Sequence, residues 1–351
     1  MKLSDEIYEL FRREGLLLLG AVPLEYDEDA GRFRRWVADG NHASMAYLEA
    51  NMSLRCDPQG FFKGAKTALV FGFPYHHDSL ERSKPKVARY AQYKDYHRFM
   101  KKKAGEVLQG LKSMVPSELN VEARIFVDSA PILERALAAR TTHGFIGKNT
   151  LYIHPQFGSF LLLGEIISNV PFEGSRKMEV DPSYRGEMGG CGTCRRCQVH
   201  CPTGALSKDF QLDARRCLSY WTIEHRGPIP EEFWPYLGEY LFGCDRCQDV
   251  CPYNRSVPEW QAAEGKVLLK SPMKTLSLFD VATMSPAQYA DWFGGTPMTR
   301  AKIFGLRRNA LIAMWALHDE KIGAAMAKVG PDDHKTLRDT VESLIRLRKR
   351  N

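Results

Sequence analysis

The chain has 351 residues, of which 44% are hydrophobic and 26% charged, and its 49 Lys and Arg against 42 Asp and Glu leave a net charge of +7. That length accommodates two or three domains, each with its own apolar core. Membrane spans need ~18 consecutive apolar residues; the longest candidate run, 160–167, is broken by Glu165, so a soluble cytoplasmic protein without a membrane partner is expected.

Ser4 can cap a predicted helix that carries Ile7, Leu10 and Phe11 as far as Gly15, and 16–22 reads as a buried strand. A loop-rich stretch follows. After the turn at Gly64 comes a second apolar strand over 67–73, then a helix over 98–114 with Lys101, Lys102 and Lys103 on its outer face. A short strand at 124–127, a helix from Pro131 to His143 ended by Gly144, and apolar strands near Leu151 and Phe160 complete this part. The irregular alternation suits an α+β or mixed sheet better than a regular doubly wound one. A turn-rich linker over 171–190 leads into a cysteine-bearing module that ends near Val257. Beyond it 286–292, 300–317 and 335–349 carry apolar residues at three and four spacing, in the manner of HEAT-type hairpins but without a clean repeat. The expected division is therefore 1–175, 176–260 and 261–351. Positive charge gathers in the last part, where 300–351 holds twelve Lys and Arg against six Asp and Glu, which points to a polyanionic partner.

Eight of the nine cysteines fall between Cys191 and Cys251, in two runs each closed by proline: Cys191-x2-Cys194-x2-Cys197-x3-Cys201-Pro202, and Cys217 followed by Cys244-x2-Cys247-x3-Cys251-Pro252. This is the spacing of two-cluster bacterial ferredoxins, where three close thiolates hold one 4Fe-4S cube and the fourth crosses to the other. Cys191, Cys194, Cys197 and Cys251 are accordingly assigned to one cluster, and Cys201, Cys217, Cys244 and Cys247 to the second. Structural zinc would leave the middle cysteine and the Cys-Pro ending without purpose. A disulfide framework does not suit a large chain without a signal sequence. Cys56 stands alone and reads as a small buried side chain. Gly147-Lys148-Asn149 is not a phosphate loop, because Asn149 replaces Ser or Thr and Thr142 the first glycine.

Four blocks carry a resemblance: Asp128-Ser129-Ala130-Pro131-Ile132-Leu133-Glu134-Arg135, Gly144-Phe145-Ile146-Gly147-Lys148-Asn149-Thr150-Leu151, the double cysteine motif, and Cys217-Leu218-Ser219-Tyr220-Trp221-Thr222-Ile223-Glu224-His225. In this order, and with Asp95-Tyr96-His97 and Arg307-Arg308-Asn309-Ala310, the chain resembles the epoxyqueuosine reductases over nearly its whole length. It departs from them at Cys56, where a small residue such as alanine is expected, and in a tail shorter than that of many members. The resemblance implies a cobalamin cofactor beside the two clusters, an external donor of flavodoxin or ferredoxin type, and removal of the epoxide oxygen from epoxyqueuosine in the anticodon loop of tRNA. It also implies a nitroreductase-like core similar to that of reductive dehalogenases, with no histidine on cobalt, and a monomer. Asp332-x-His334, which begins like a histidine motif for cobalamin but has Leu337 in place of its glycine, then reads as a solvated helix start.

Asp128 is the expected proton donor, at a strand end where burial under the corrin raises its pKa; without the resemblance it reads equally as a helix cap. Corrin contacts are expected from Arg55, Tyr96, Asp128, Lys148, Asn149 and Ser219, polar groups in the matched segments that could also satisfy local backbone. Contacts to tRNA phosphates are expected from Lys302, Arg307, Arg308, Arg348, Lys349 and Arg350, of which the last run also complements a helix C-terminus. Two other classes fit parts of the chain. A dehalogenase-type enzyme would act without RNA, and an electron carrier would have no use for so much chain outside 191–251.

Overall fold

The computed structural model describes residues 1–349 except 26, 76–85, 93, 142, 175–189, 239, 256 and 259–274; of 58 and 59 it describes the backbone. Arg350 and both expected domain boundaries lie outside the described residues.

The most apolar segments make the sheet. Its strands are β1 (Leu17–Pro23), β2 (Thr67–Pro74), β4 (Ala123–Phe126) and β7 (Leu161–Ser168), in the antiparallel order β1-β2-β7-β4. Two small ladders stand apart: β3 (Lys86–Val87) pairs parallel with β8 (Tyr240–Phe242), and β5 (Phe145–Ile146) pairs with β6 (Tyr152–Ile153). Every residue of β2 is buried, as expected of a strand with a neighbour on each edge and helices on each face. Side chains alternate between those faces. Leu69, Phe71 and Ile166 pack beneath the helices Asp5–Arg13 and Tyr96–Met114, while Leu19, Val70 and Ile167 pack with Ile132, Leu137 and Ala138 around the helix Glu134–Arg140.

A third core joins the cysteine module to the C-terminal helices. Trp221, Trp234, Leu241 and Phe242 pack with Val281 and Phe293, with Leu306 and Leu311 of the helix Lys302–Ala316, and with Leu337 and Leu344 of the helix Lys335–Arg348. The core thus crosses the expected division at 260/261. Arg308 and Asn309 clamp it together. Arg308 is 0% exposed and donates to the carbonyls of Trp221 (2.7 Å), His225 (2.9 Å) and Gly227 (2.6 Å). Asn309 donates to those of Thr222 (2.8 Å) and Leu241 (2.9 Å). Their targets include the π-helical turn Tyr220–Glu224, whose displaced carbonyls need such partners.

This corrects two of the expected phosphate contacts. Arg308 spends its donors on backbone inside the core, and buried Arg307 pairs with Asp333 and donates to the Ala282 carbonyl, so neither presents a cation to a polyanion. Lys302, Arg348 and Lys349 are exposed. The stretch after β1 is also corrected: Asp27–Ala38 is a helix with Asp27, Glu28 and Asp29 in its first turn, where acids favour the positive end of the helix. Its apolar residues Ala30, Phe33 and Val37 recur at helical spacing, with Phe33 packed against the core, a stripe that the sequence reading passed over.

Candidate active site

The two cysteine runs fold alike. The short helices Arg196–Val199 and Arg246–Asp249 each start just after the second cysteine of their run, and each is followed by its Cys-Pro step. Cys191, Cys194, Cys197 and Cys251 line one cavity, so the last cysteine of the second run stands with the first three. Asn149 lines the same cavity, and the Lys148 backbone N–H donates to the Cys191 sulfur at 3.3 Å. The other four stand together electrostatically: Cys217 feels Cys201, Cys244 feels Cys217, and Cys247 feels both Cys244 and Cys217. Burial pushes the Cys244 thiol up to about 12 and Cys251 to about 11. Such thiols stay protonated until iron displaces their protons, which couples cluster assembly to proton release.

Asp128 follows β4 with a left-handed backbone, φ +54, rare for a residue with a side chain. The Glu134 carboxyl holds that turn by accepting the Asp128 backbone N–H at 2.5 Å. The Asp128 side chain is 57% exposed, and its Oδ2 receives the Tyr96 hydroxyl at 2.7 Å and lies 3.0 Å from His97 Nε2. His97 Nδ1 in turn lies 2.7 Å from Asp95, whose other bond caps the helix Tyr96–Met114 through the His97 N–H. The capping alternative for Asp128 finds no bond: the helix Glu134–Arg140 starts at Leu133 without a side-chain cap.

The electrostatics differ from expectation. Desolvation in the cleft pushes Asp128 up, but the hydrogen bonds from His97 and Tyr96 outweigh it and hold the carboxyl below its usual value. Burial pulls His97 down, yet its bonds to Asp128 and Asp95 carry it above 6.5. Of the two, His97 rather than Asp128 therefore keeps a proton that the pair shares. Sequence reasoning chose Tyr96 from the Asp95-Tyr96-His97 block and passed over His97, whose ring lies stacked on Tyr96 at 4.1 Å.

A rim of residues from three parts of the chain completes the cleft. Arg300 pairs with Glu224 at 2.8 Å and lies 5.2 Å over the ring of Tyr47, which is 43% exposed. Both Tyr47 and Arg300 feel the charge of Asp128. None of the three stood among the expected site residues.

Of the expected corrin contacts, Tyr96, Asp128 and Arg55 stand about the cleft, where Tyr47 feels both Asp128 and Arg55, and the other three stand beside the cysteine quartets. Tyr96 is committed to Asp128, and Arg55 donates to the Ile132 carbonyl at 3.4 Å with its guanidinium over Phe33. Lys148 pairs with Asp209 at 3.2 Å beside the first cysteine cavity. Ser219 hydrogen-bonds Cys217 at the second quartet. Asn149 accepts from the Leu151 N–H at 3.3 Å while its buried Nδ2 finds no partner among the described residues, which fits a donor aimed at a cluster sulfur. The open carboxylate of Asp128, the exposed Tyr47 ring and the Arg300 cation fit the apolar face and polar fringe of a corrin. Cys56 is buried against Met52 and the Ala30 carbonyl, as a packing residue.

Comparison with known proteins bears on both halves of this arrangement. Residues 190–254 match the 4Fe-4S double cluster binding domain, and residues 55–129, which end just past Asp128, match the family described as epoxyqueuosine reductase QueG, DUF1730. The epoxyqueuosine reductase of Pseudomonas aeruginosa is 33% identical over 321 residues, covering 89% of this chain and 85% of the relative. That of Xanthomonas campestris pv. campestris is 32% identical over 348 residues, covering 96% and 94%. Among solved structures, epoxyqueuosine reductase with a tRNA-Tyr epoxyqueuosine-modified tRNA stem loop superposes with a TM-score of 0.80 at 25% identity, covering 96% of this chain and 88% of that one. The Streptococcus thermophilus enzyme gives 0.79 at 26%, covering 96% and 87%. With relatives more than 30% identical matched over most of their length and the cysteine quartets and Asp128 cleft in place, the chain belongs to the epoxyqueuosine reductase family.

Proposed function

We propose that this enzyme deoxygenates epoxyqueuosine to queuosine in the anticodon loop of tRNA at the Asp128 cleft, with cobalamin bound there and two 4Fe-4S clusters held by the cysteine quartets. It is an oxidoreductase, and it reduces epoxyqueuosine in tRNA. The observation that carries the site is the open Asp128 carboxylate, fixed by Tyr96 and His97 and overlooked by the Arg300 and Tyr47 rim. Cobalamin, when bound, supplies the two-electron reducing centre, and the clusters supply a single-electron relay to it.

The chain's own residues do the rest. His97 and Asp128 hold a proton within reach of the leaving oxygen, so Asp128 acts as the donor by passing on what His97 stores. Tyr96 holds Asp128 at the angle that faces the cleft. Arg55, Lys148, Asn149 and Ser219 serve the corrin edge or the cluster nests beside which three of them lie. Lys302, Arg348 and Lys349, with Arg350, meet tRNA phosphates. On this reading the sheet and its helices are a nitroreductase-like, reductive-dehalogenase-like core, the tail is HEAT-like, and the protein works as a cytoplasmic monomer fed by a flavodoxin- or ferredoxin-type donor. Among the described residues no helix is long and apolar enough to cross a membrane.

The test is turnover by anaerobically purified protein, reconstituted with cobalamin, of tRNA bearing epoxyqueuosine. Nucleoside mass spectrometry should show loss of one oxygen atom, dependent on cobalamin and reductant. Equal activity on small halogenated compounds with no turnover of tRNA would overturn the reading.

A further inference from the structure

Glu165 sits in the middle of β7 with 0% exposure, and neither carboxyl oxygen has a hydrogen-bond partner among the described residues. Val70 on β2 and Phe126 on β4 stand directly opposite it. The three therefore share the sheet face covered by the helix Glu134–Arg140. An ionised carboxylate in such a place is untenable, so Glu165 carries its proton.

The same face leads to the cleft. Phe126 stands two residues before Asp128, and Glu134, which opens the covering helix, accepts the Asp128 backbone N–H. Glu165 feels both Glu134 and Asp128, and Glu134 feels Asp128, so the three carboxyls form one electrostatic series with its open end at Asp128. Among the neighbouring cations, Arg124 donates to the Phe61 carbonyl, Arg55 to that of Ile132 and Arg135 to that of Thr150; the Arg135 charge also acts on Glu134, where burial outweighs it. At the open end Asp128 faces Tyr96, His97 and Arg300.

Deoxygenation of an epoxide to an alkene breaks two C–O bonds, forms the C=C bond, takes up two electrons from the external flavodoxin- or ferredoxin-type donor, and releases water by consuming two protons. The His97–Asp128 pair holds one. We propose that Glu134 and Glu165 are a proton store behind Asp128 that supplies the second while the bound substrate covers the cleft. This rests on the reaction proposed above. Glu134 gives its proton to the emptied His97–Asp128 pair, and Glu165 restores it.

Difference infrared spectroscopy on the holoenzyme should show the C=O stretch of a protonated carboxylic acid at neutral pH that disappears in Glu165→Gln. In the holoenzyme, Glu165→Gln should lower kcat by about tenfold or more, leave KM for tRNA unchanged and enlarge the solvent deuterium isotope effect. Glu134→Gln should do the same, and carries the test should Glu165→Gln not fold. Absence of the infrared band, or parent-like kcat and isotope effect in both variants, would overturn the store. A parent that leaves epoxyqueuosine intact while showing the band would instead sink the reaction and spare the buried acids.

Discussion

Asp128 is defined by its company. Tyr96 and His97 hold its carboxylate in the open cleft. Asp128→Asn keeps that shape but loses the carboxylate that takes up and passes on the His97 proton. Turnover should fall by roughly a hundredfold or more, with the clusters still reducible and the cobalamin spectrum unchanged; parent-like turnover would place the donor elsewhere. Glu134 offers a second check, because burial and then the Asp128 charge raise its pKa from 4.5 to about 8. The folded chain then binds more protons than the unfolded chain across that window, so this group makes stability fall as pH rises through it. Urea unfolding over the window should show a shallower fall in Glu134→Gln. The residues at this scale were unequally legible. The cysteines announce themselves because cluster chemistry fixes their spacing. His97 and Glu134 lay inside recognisable blocks, but their roles depend on which side chain reaches Asp128 across the fold, and Tyr47, Glu224 and Arg300 come from three distant segments that no local pattern connects.

At the scale of elements, the strands read over 16–22, 67–73 and 124–127 and near Phe160 all lie in the sheet, the last in spite of Glu165 within its apolar run. The helices 96–114 and 335–348 were legible through their apolar stripes. The helix Asp27–Ala38 was passed over although Ala30, Phe33 and Val37 recur at helical spacing, and β8 was hidden because its three residues acquire meaning only opposite β3. The helix Lys302–Ala316 misled in a more instructive way. Its Arg-Arg-Asn run looks like surface charge, yet the helix is surrounded and the run faces backbone carbonyls. Arg308→Ala should leave the carbonyls of Trp221, His225 and Gly227 short of donors, at about 1–3 kcal/mol for each left wholly unpaired. Thermal or chemical unfolding should register that loss, while the salt dependence of tRNA binding in the folded fraction stays at the parent value. A changed salt slope would return Arg308 to the phosphate-binding set.

For the whole molecule, the crossing of Cys251 makes the two cysteine runs one unit. Cys251→Ser should damage the first cluster although it belongs to the second run, and electron paramagnetic resonance should still find the second. Charge reversal at Lys302, Arg348 and Lys349, all exposed, should weaken tRNA binding. Every phosphate that thereby loses its cationic partner should flatten the plot of log affinity against log salt by about 0.7 to 0.9. An unchanged slope would move the RNA surface elsewhere. Removing the last helix is a poorer experiment, because Leu337 and Leu344 belong to the core shared with Trp234 and Phe242.

That shared core limits how the protein can be taken apart. A chain cut after the cysteine module is the natural choice for anyone wishing to study redox chemistry free of RNA. It would bare Trp234, Leu241 and Phe242 and would strip the π-turn beside Cys217 of the Arg308 clamp. Such a fragment should aggregate or lose its second cluster on purification. The cysteine module and the C-terminal helices must therefore be inherited together.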